Sequence, residues 1–246
     1  TAAIHAAITQ KVTPAYQKLS HYVKNDYAPK GRIEVGIWAL PDGAARYSFN
    51  AKNATTTDMT PEQIHQLGMQ EVARIEGEMQ ALALKQGFKT WKEMDNAYKT
   101  NPDLFPKSRQ EIVDLYSKYT NETYPKLTQL FGRLPKAKVE IKAIEEFLEK
   151  NASAAQYQHP AADGSRPGIV RVNTGDFAQR SKVPMEAVAL HEGVPGHHMQ
   201  IAIAQELPSL PEFRKHGGYI AYEEGWGLYA EGLGRELGAY QQPYSY

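Results

Sequence analysis

The sequence predicts a predominantly α-helical α+β fold in a single domain over residues 1–246. Three observations predict it. Apolar residues recur at helical spacing through most of the chain. Two Ser/Thr-x-x-Gln/Glu capping boxes, at Thr60 and Ser108, announce helix starts. Short β-prone runs at 34–49, 139–141 and 168–174 are enough for a small sheet. No internal repeat, low-complexity tract or linker divides the chain.

Ile4, Ile8, Val12, Leu19 and Val23 predict a helix over residues 1–30, bent at Pro14 and stopped by Pro29 and Gly31. Glu34–Leu40 and Ala45–Phe49 flank Pro41-Asp42-Gly43 and read as a hairpin. Thr60-Pro61-Glu62-Gln63 opens a long helix whose apolar face runs from Ile64 through Leu67, Val72, Ile75 and Met79 to Leu82, ending at Gly87. The box at Ser108 opens another, which continues to Gly132 with a bend at Pro125. Val139-Glu140-Ile141 alternates like a strand edge, and a short helix follows near Glu145–Lys150. Gly168–Thr174 reads as a strand. Pro184 launches a helix over Met185–Leu207, and Gly217-Gly218 precedes a final one from about Tyr219 to Leu237.

Lys plus Arg and Asp plus Glu number 28 each, so the net charge is zero, which argues against a general nucleic-acid binder. The absence of cysteine excludes disulfides, thiolate metal sites and cysteine nucleophiles. No apolar run is long enough to span a bilayer.

Chemistry concentrates in His191-Glu192-Gly193-Val194-Pro195-Gly196-His197-His198, which reads as the zinc-peptidase motif H-E-x-x-H with two extra residues. In the ordinary motif the histidines sit at i and i+4, about 40° apart around the helix, and reach one ion. Here the candidates for the second position are His197 and His198. On an undistorted helix i+6 lies about 120° from the first histidine and i+7 about 20°, which favours His198. Pro195 and the glycines at 193 and 196 argue against a regular helix, and a two-residue bulge would return His197 to the second ligand's place. The plain alternative is a broken helix bearing surface histidines. Glu192, beside the first histidine, suits a general base acting on water; otherwise it is an exposed helix acid.

Tyr222-Glu223-Glu224-Gly225-Trp226 offers a carboxylate as third ligand, from Glu223 or Glu224 but not both, since helix neighbours point about 100° apart. Glu231 shares a face with Glu224 and could orient a ligand from behind. Asn173, closing a strand, is a candidate for holding a substrate backbone or a simple turn residue. Tyr222 is a candidate substrate contact, one of 15 tyrosines. His5, His21, His65 and His159 read as surface residues and His216 as a loop residue.

The two motifs, His191–Gln200 and Glu224-Gly225-Trp226-Gly227-Leu228-Tyr229-Ala230-Glu231, resemble the bacterial DUF885 family of unknown function. Leu40-Pro41-Asp42-Gly43, Thr60-Pro61-Glu62 and Val172-Asn173-Thr174 extend the resemblance over the chain. Members are often lipoproteins or envelope proteins and are considered relatives of the gluzincin metallopeptidases. The resemblance implies a gluzincin-like catalytic region with a small sheet, and the metal site within residues 185–237. It implies a zinc ion held by His191, His197 (matching a Gly-His pair) and Glu224, with Glu192 as general base and His198 in a supporting role. It further implies a peptide or related amide substrate and a periplasmic or envelope location. On this resemblance the chain is expected to correspond to the C-terminal half of a longer member, without an Asp-x-Gly-x-His segment that members carry further on. The competing expectation is an inactive peptide- or partner-binding envelope protein on a peptidase scaffold; a third is a hydrolase of non-peptide amides or esters.

Overall fold

The computed structural model describes residues 1–244. Where the sequence predicts one domain, the residues group into two compact units, Thr1–Ala51 and Lys52–Tyr246.

The first unit is helical from Ala2 onward. Helices α1 (Ala2–Ala7) and α2 (Thr13–Tyr22) are joined by a π-helical stretch at Ile8–Val12, and a second one follows at Val23–Tyr27. Pro14 sits in the first turn of α2, where the π-helical stretch gives way to α-helix. The apolar positions that predict this helix remain exposed, from Val23 at 43% to Ile4 at 63%.

The expected hairpin is corrected. The Pro41-Asp42-Gly43 turn forms, with Asp42 at φ +56°, but a helix leads out of it: α3 (Gly43–Thr55). The alanines and arginine that follow Gly43 are strong helix formers, and no cross-strand partner outweighs them. Gly43 lies so close to the preceding 3₁₀ turn (Ile37–Ala39) that a Cβ would come within 2.3 Å of the Ile37 carbonyl.

In the second unit the Thr60 box is complete. Its hydroxyl accepts from the Gln63 amide and the Gln63 side chain accepts from the Thr60 amide, opening α4 (Pro61–Lys85). Helix α5 (Trp91–Thr100) is an addition to the sequence reading, although Thr90-x-x-Glu93 carries the same signal. Ser108 caps α6 (Arg109–Thr123), and at Pro125 the chain tightens into a 3₁₀ turn, Tyr124–Gln129.

Three strands form one sheet in the order β1-β3-β2: β1 (Val139–Ala143), β2 (Ala155–Gln158) and β3 (Gly168–Val172). β1 runs parallel to β3, with Val139 opposite Gly168; β2 runs antiparallel to it, with Ala155 opposite Val172. β2 is therefore an edge strand. Four helices complete the chain: α7 (Met185–Glu192), α8 (His197–Glu206), α9 (Glu212–His216) and α10 (Ile220–Leu233). No helix among the described residues is long and apolar enough to cross a membrane.

The main core lies where α6 and α7 meet the sheet. Ile112, Tyr116 and Tyr119 of α6 pack on Val170 and Val172 of β3 and on Met185 and Ala189 of α7. A second cluster joins Leu127, Val194, Met199 and Leu237 under the turn between α7 and α8. Both cores thus grip the histidine-bearing segment. Ile112 is 1% exposed, so Ile112→Ala is expected to cost about 2–5 kcal/mol, read as a lowered midpoint in urea unfolding.

Candidate metal centre

The sequence predicts one helix over 185–207; the structure breaks it at residues 193–196, between α7 and α8. The backbone hydrogen bonds show how. In a continuous helix the Leu190 carbonyl would accept from the amide four residues on. Here it accepts from Gly196, at 3.0 Å, so two residues are looped out. His198 then donates to the Gly193 carbonyl at 3.1 Å and Gln200 to Gly196 at 3.0 Å, restarting the ladder. His197 follows Gly196 as an i+4 residue would follow i+3. Glycine is required at 196, because a Cβ there would lie 1.9 Å from the His191 carbonyl oxygen. The Val194–Pro195 peptide bond is cis.

α10 closes the site from the other side. Trp226 donates from its indole to the Pro195 carbonyl at 2.8 Å, and Gln200 donates to the Tyr222 carbonyl at 3.1 Å. Gly227 lets α10 approach: a Cβ there would meet the His191 ring at 2.5–2.9 Å. Glu224 and Glu231, one on either side of Gly227, both reach His191.

His191 Nδ1 lies 2.8 Å from Glu231 Oε1. The carboxylate can only accept, so Nδ1 carries the proton and Nε2 presents a lone pair. That lone pair is 3.4 Å from Glu224 Oε2, and His197 Nε2 is 3.8 Å from the same oxygen. The two imidazoles stand perpendicular, with centroids 4.7 Å apart. Ligand atoms of His191, His197 and Glu224 all lie within 4.8 Å of one another. The fit to a cation is supported by an orphaned pair of atoms. His197 Nδ1 and Gln200 Oε1 are both buried without a hydrogen bond. A ligand-state His197, with Nε2 committed to an ion, would carry its proton on Nδ1 and direct it at that oxygen. Burial, reinforced by His191, pushes His197 below the usual imidazole range, favouring the neutral, ligating form against the opposing pull of Glu224.

Glu192 stays outside the cluster. It lines a cavity of about 320 Å³ with His197, Glu223, Glu224, Tyr157 and His159. Burial raises its pKa and Glu224 adds to the rise; His191 and the nearby Tyr157 backbone oppose it.

His198 faces away from the cluster. Its Nε2 meets the Ala137 carbonyl at 3.1 Å and so donates, leaving Nδ1 to accept from the Tyr157 hydroxyl at 2.9 Å. Gly168 makes room for that bond, since a Cβ there would lie 2.5 Å from the hydroxyl. His198 is a brace between α8 and the sheet.

Two sequence expectations are corrected. Asn173 is 1% exposed and its amide is fully used: Nδ2 donates to the Glu149 and Ala152 carbonyls, and Oδ1 accepts from Gly175. It holds the turn after β3 and has nothing left for a substrate. The Tyr222 side chain is 65% exposed and lies outside the cavity lining; Glu223 and Glu224, the next residues around α10, turn that way instead. His159, read as surface, is indeed exposed, and it also borders the cavity, stacked on Tyr157 with centroids 5.8 Å apart. Partial desolvation of the ring, with help from His197, His216 and Arg166, holds its pKa below the usual range against Glu223. Sequence reasoning missed β2 and with it Tyr157. The available signal was the two-residue alternation of Ala155, Tyr157 and His159 with Gln156 and Gln158.

Residues 1–246 match the family model described as "Bacterial protein of unknown function (DUF885)". The chain belongs to the DUF885 family. A crystal structure described as "the putative lipoprotein from Colwellia psychrerythraea" is 36% identical to this DUF885 chain, with a TM-score of 0.92. The match covers 98% of this chain and 42% of that one, so the DUF885 chain spans less than half the length of that protein. No curated protein matches the sequence.

Burial, the dominant influence, pushes His198 down to about 4 from an ordinary 6.5, against the Ala137 carbonyl and Glu206. Between those values the unfolded chain binds a proton that the folded one refuses. Its contribution to stability is therefore complete above about 6.5 and is lost as the pH falls towards about 4. Urea midpoints of metal-free protein are expected to drop across that window, and to drop less steeply in His198→Gln.

Proposed function

We propose that this protein is a metal-dependent hydrolase of peptide or related amide bonds, using zinc held by His191, His197 and Glu224. One observation carries the reading: two imidazoles and a carboxylate converge within 4.8 Å, with a second, unligated carboxylate on the same cavity. Two nitrogens and one carboxylate oxygen are a donor set that zinc accepts with a coordination position left open. Zinc bound there would supply Lewis acidity, polarising a water molecule and a scissile carbonyl.

The protein's own groups perform the rest. Glu192, its proton affinity raised by burial, accepts a proton from the attacking water and passes it to the departing nitrogen. Glu231 keeps the His191 proton on Nδ1 and the ring fixed. The wall of the cavity supplied by β2 is an open sheet edge, a surface suited to an extended substrate. This role moves from the strand ending at Asn173, where the sequence suggested it, to β2. The gluzincin likeness rests on this arrangement of ligands and base. The lipoprotein description of the similar Colwellia protein supports an envelope, periplasmic location for this one.

The test is metal content and turnover together. Wild-type protein is expected to bind one zinc per chain and to cleave members of a peptide library. Glu192→Gln is expected to keep the zinc and lose about 10²–10⁴-fold in kcat; undiminished activity in that variant removes Glu192 from the mechanism, and absence of zinc removes the centre. Glu231→Ala is expected to weaken zinc affinity about 10- to 100-fold while the chain stays folded, measured by chelator competition.

A further inference from the structure

We propose that a second cavity beside β2, of about 670 Å³, is a subsite for a carboxylate group of the substrate, with Arg166 as the residue that recognises it. This deepens the hydrolase reading and rests on it.

The cavity adjoins the candidate metal centre. Gln156, Tyr157 and His159 line both, so the two cavities meet at the edge strand, the second extending over the face that carries Gln156, Gln158 and Arg171. A substrate extended along β2 with its scissile bond at Glu192 and Glu224 would place a neighbouring residue in the second cavity.

The two cavities differ in charge. The first holds Glu192, Glu223 and Glu224. The second holds two guanidinium groups, Arg166 and Arg171, and one carboxylate, Glu145. Arg171 is already committed: its Nη1 lies 2.8 Å from Glu145 Oε1, and its Nε donates to Gln158 at 3.0 Å. Arg166 is different. Its one hydrogen bond is from Nη1 to the adjacent Pro167 carbonyl, at 3.2 Å, and it forms no ion pair among the described residues. It is half-buried. The subsite therefore carries one uncompensated positive charge on a planar fork of donors, the geometry that matches a carboxylate with two parallel hydrogen bonds. Ile144 and Leu148 line the same space and offer apolar contact beside the guanidinium. Arg166 also borders a third cavity, of about 490 Å³, but that one shares no lining residue with the metal-centre cavity.

A carboxylate can come from the C-terminus of a short peptide or from an acidic side chain. Three N-acetylated tetra-alanine probes separate them: the free acid, the C-terminal amide, and an amide with one alanine replaced by glutamate. Binding is read by calorimetry to zinc-loaded full-length Glu192→Gln, so that probes are not consumed. Because binding is read and not turnover, the result stands even if the protein hydrolyses nothing. One or both charged probes are expected to bind about tenfold more tightly than the plain amide, about 1.4 kcal/mol. Arg166→Met, checked for folding by circular dichroism, is expected to abolish the difference, and Arg166→Lys to restore part of it. Gain by the free acid alone assigns the subsite to a chain terminus; gain by the glutamate probe alone assigns it to a side chain. Equal affinity of all three probes, no binding of any up to about 5 mM, or a preference that survives Arg166→Met would overturn the proposal.

Discussion

The hydrogen bond from the Gly196 amide to the Leu190 carbonyl is the constraint on which the site depends. It closes a loop of backbone around two extra residues and lets a second helix start as if the first had continued. Without it the polypeptide would either run on as a helix, carrying His197 about 120° away from His191, or unravel after Glu192. With it, His191 and His197 stand ring to ring and Glu192 is left free on the cavity wall. The bond in turn demands glycine at 196, and the loop is pinned by Trp226 from α10.

Around that hinge the supports come from every side. Both hydrophobic clusters include residues of the hinge segment: Met185 and Ala189 before it, Val194 within it, Met199 after it. The edge strand contributes through Tyr157, whose hydroxyl holds His198 and whose ring lines the cavity. His198 and Glu231 are the same device used for different ends. One fixes an imidazole to the sheet so that α8 cannot rotate, and the other fixes an imidazole proton so that Nε2 faces Glu224.

Much of this was legible in the sequence because it rests on local chemistry. Capping at Thr60 and Ser108, the strands at 139 and 168, and the suspicion that Pro195 with its glycines disturbs a helix all follow from backbone preferences of single residues. The choice between His197 and His198 could not be made from spacing, since it turns on which amide bonds the Leu190 carbonyl. β2, whose alternation was its one signal, was missed for a related reason. Alanine and glutamine have little strand preference of their own, and Ala155–Gln158 is extended because β3 offers it a ladder. Asn173 and the 34–49 region misled in the opposite direction. An asparagine after a strand looks available until the carbonyls of Glu149 and Ala152 are brought to it. The residues after Pro41-Asp42-Gly43 carry aromatic side chains that suit a strand, yet the backbone curls into α3.

Helix α10 holds glycine at 225, 227 and 232, and only Gly227 is crowded by a neighbour. Each glycine in a helix interior weakens it by about 1 kcal/mol relative to alanine. The element that brings Glu224 and Glu231 to the histidines is thus a poor helix by itself, held in shape by the tertiary packing it makes. Its order and the order of the interior are one cooperative property. Heating or mild denaturant that loosens the packing around α7 would scatter the carboxylates from the imidazoles while much of the helical signal survived.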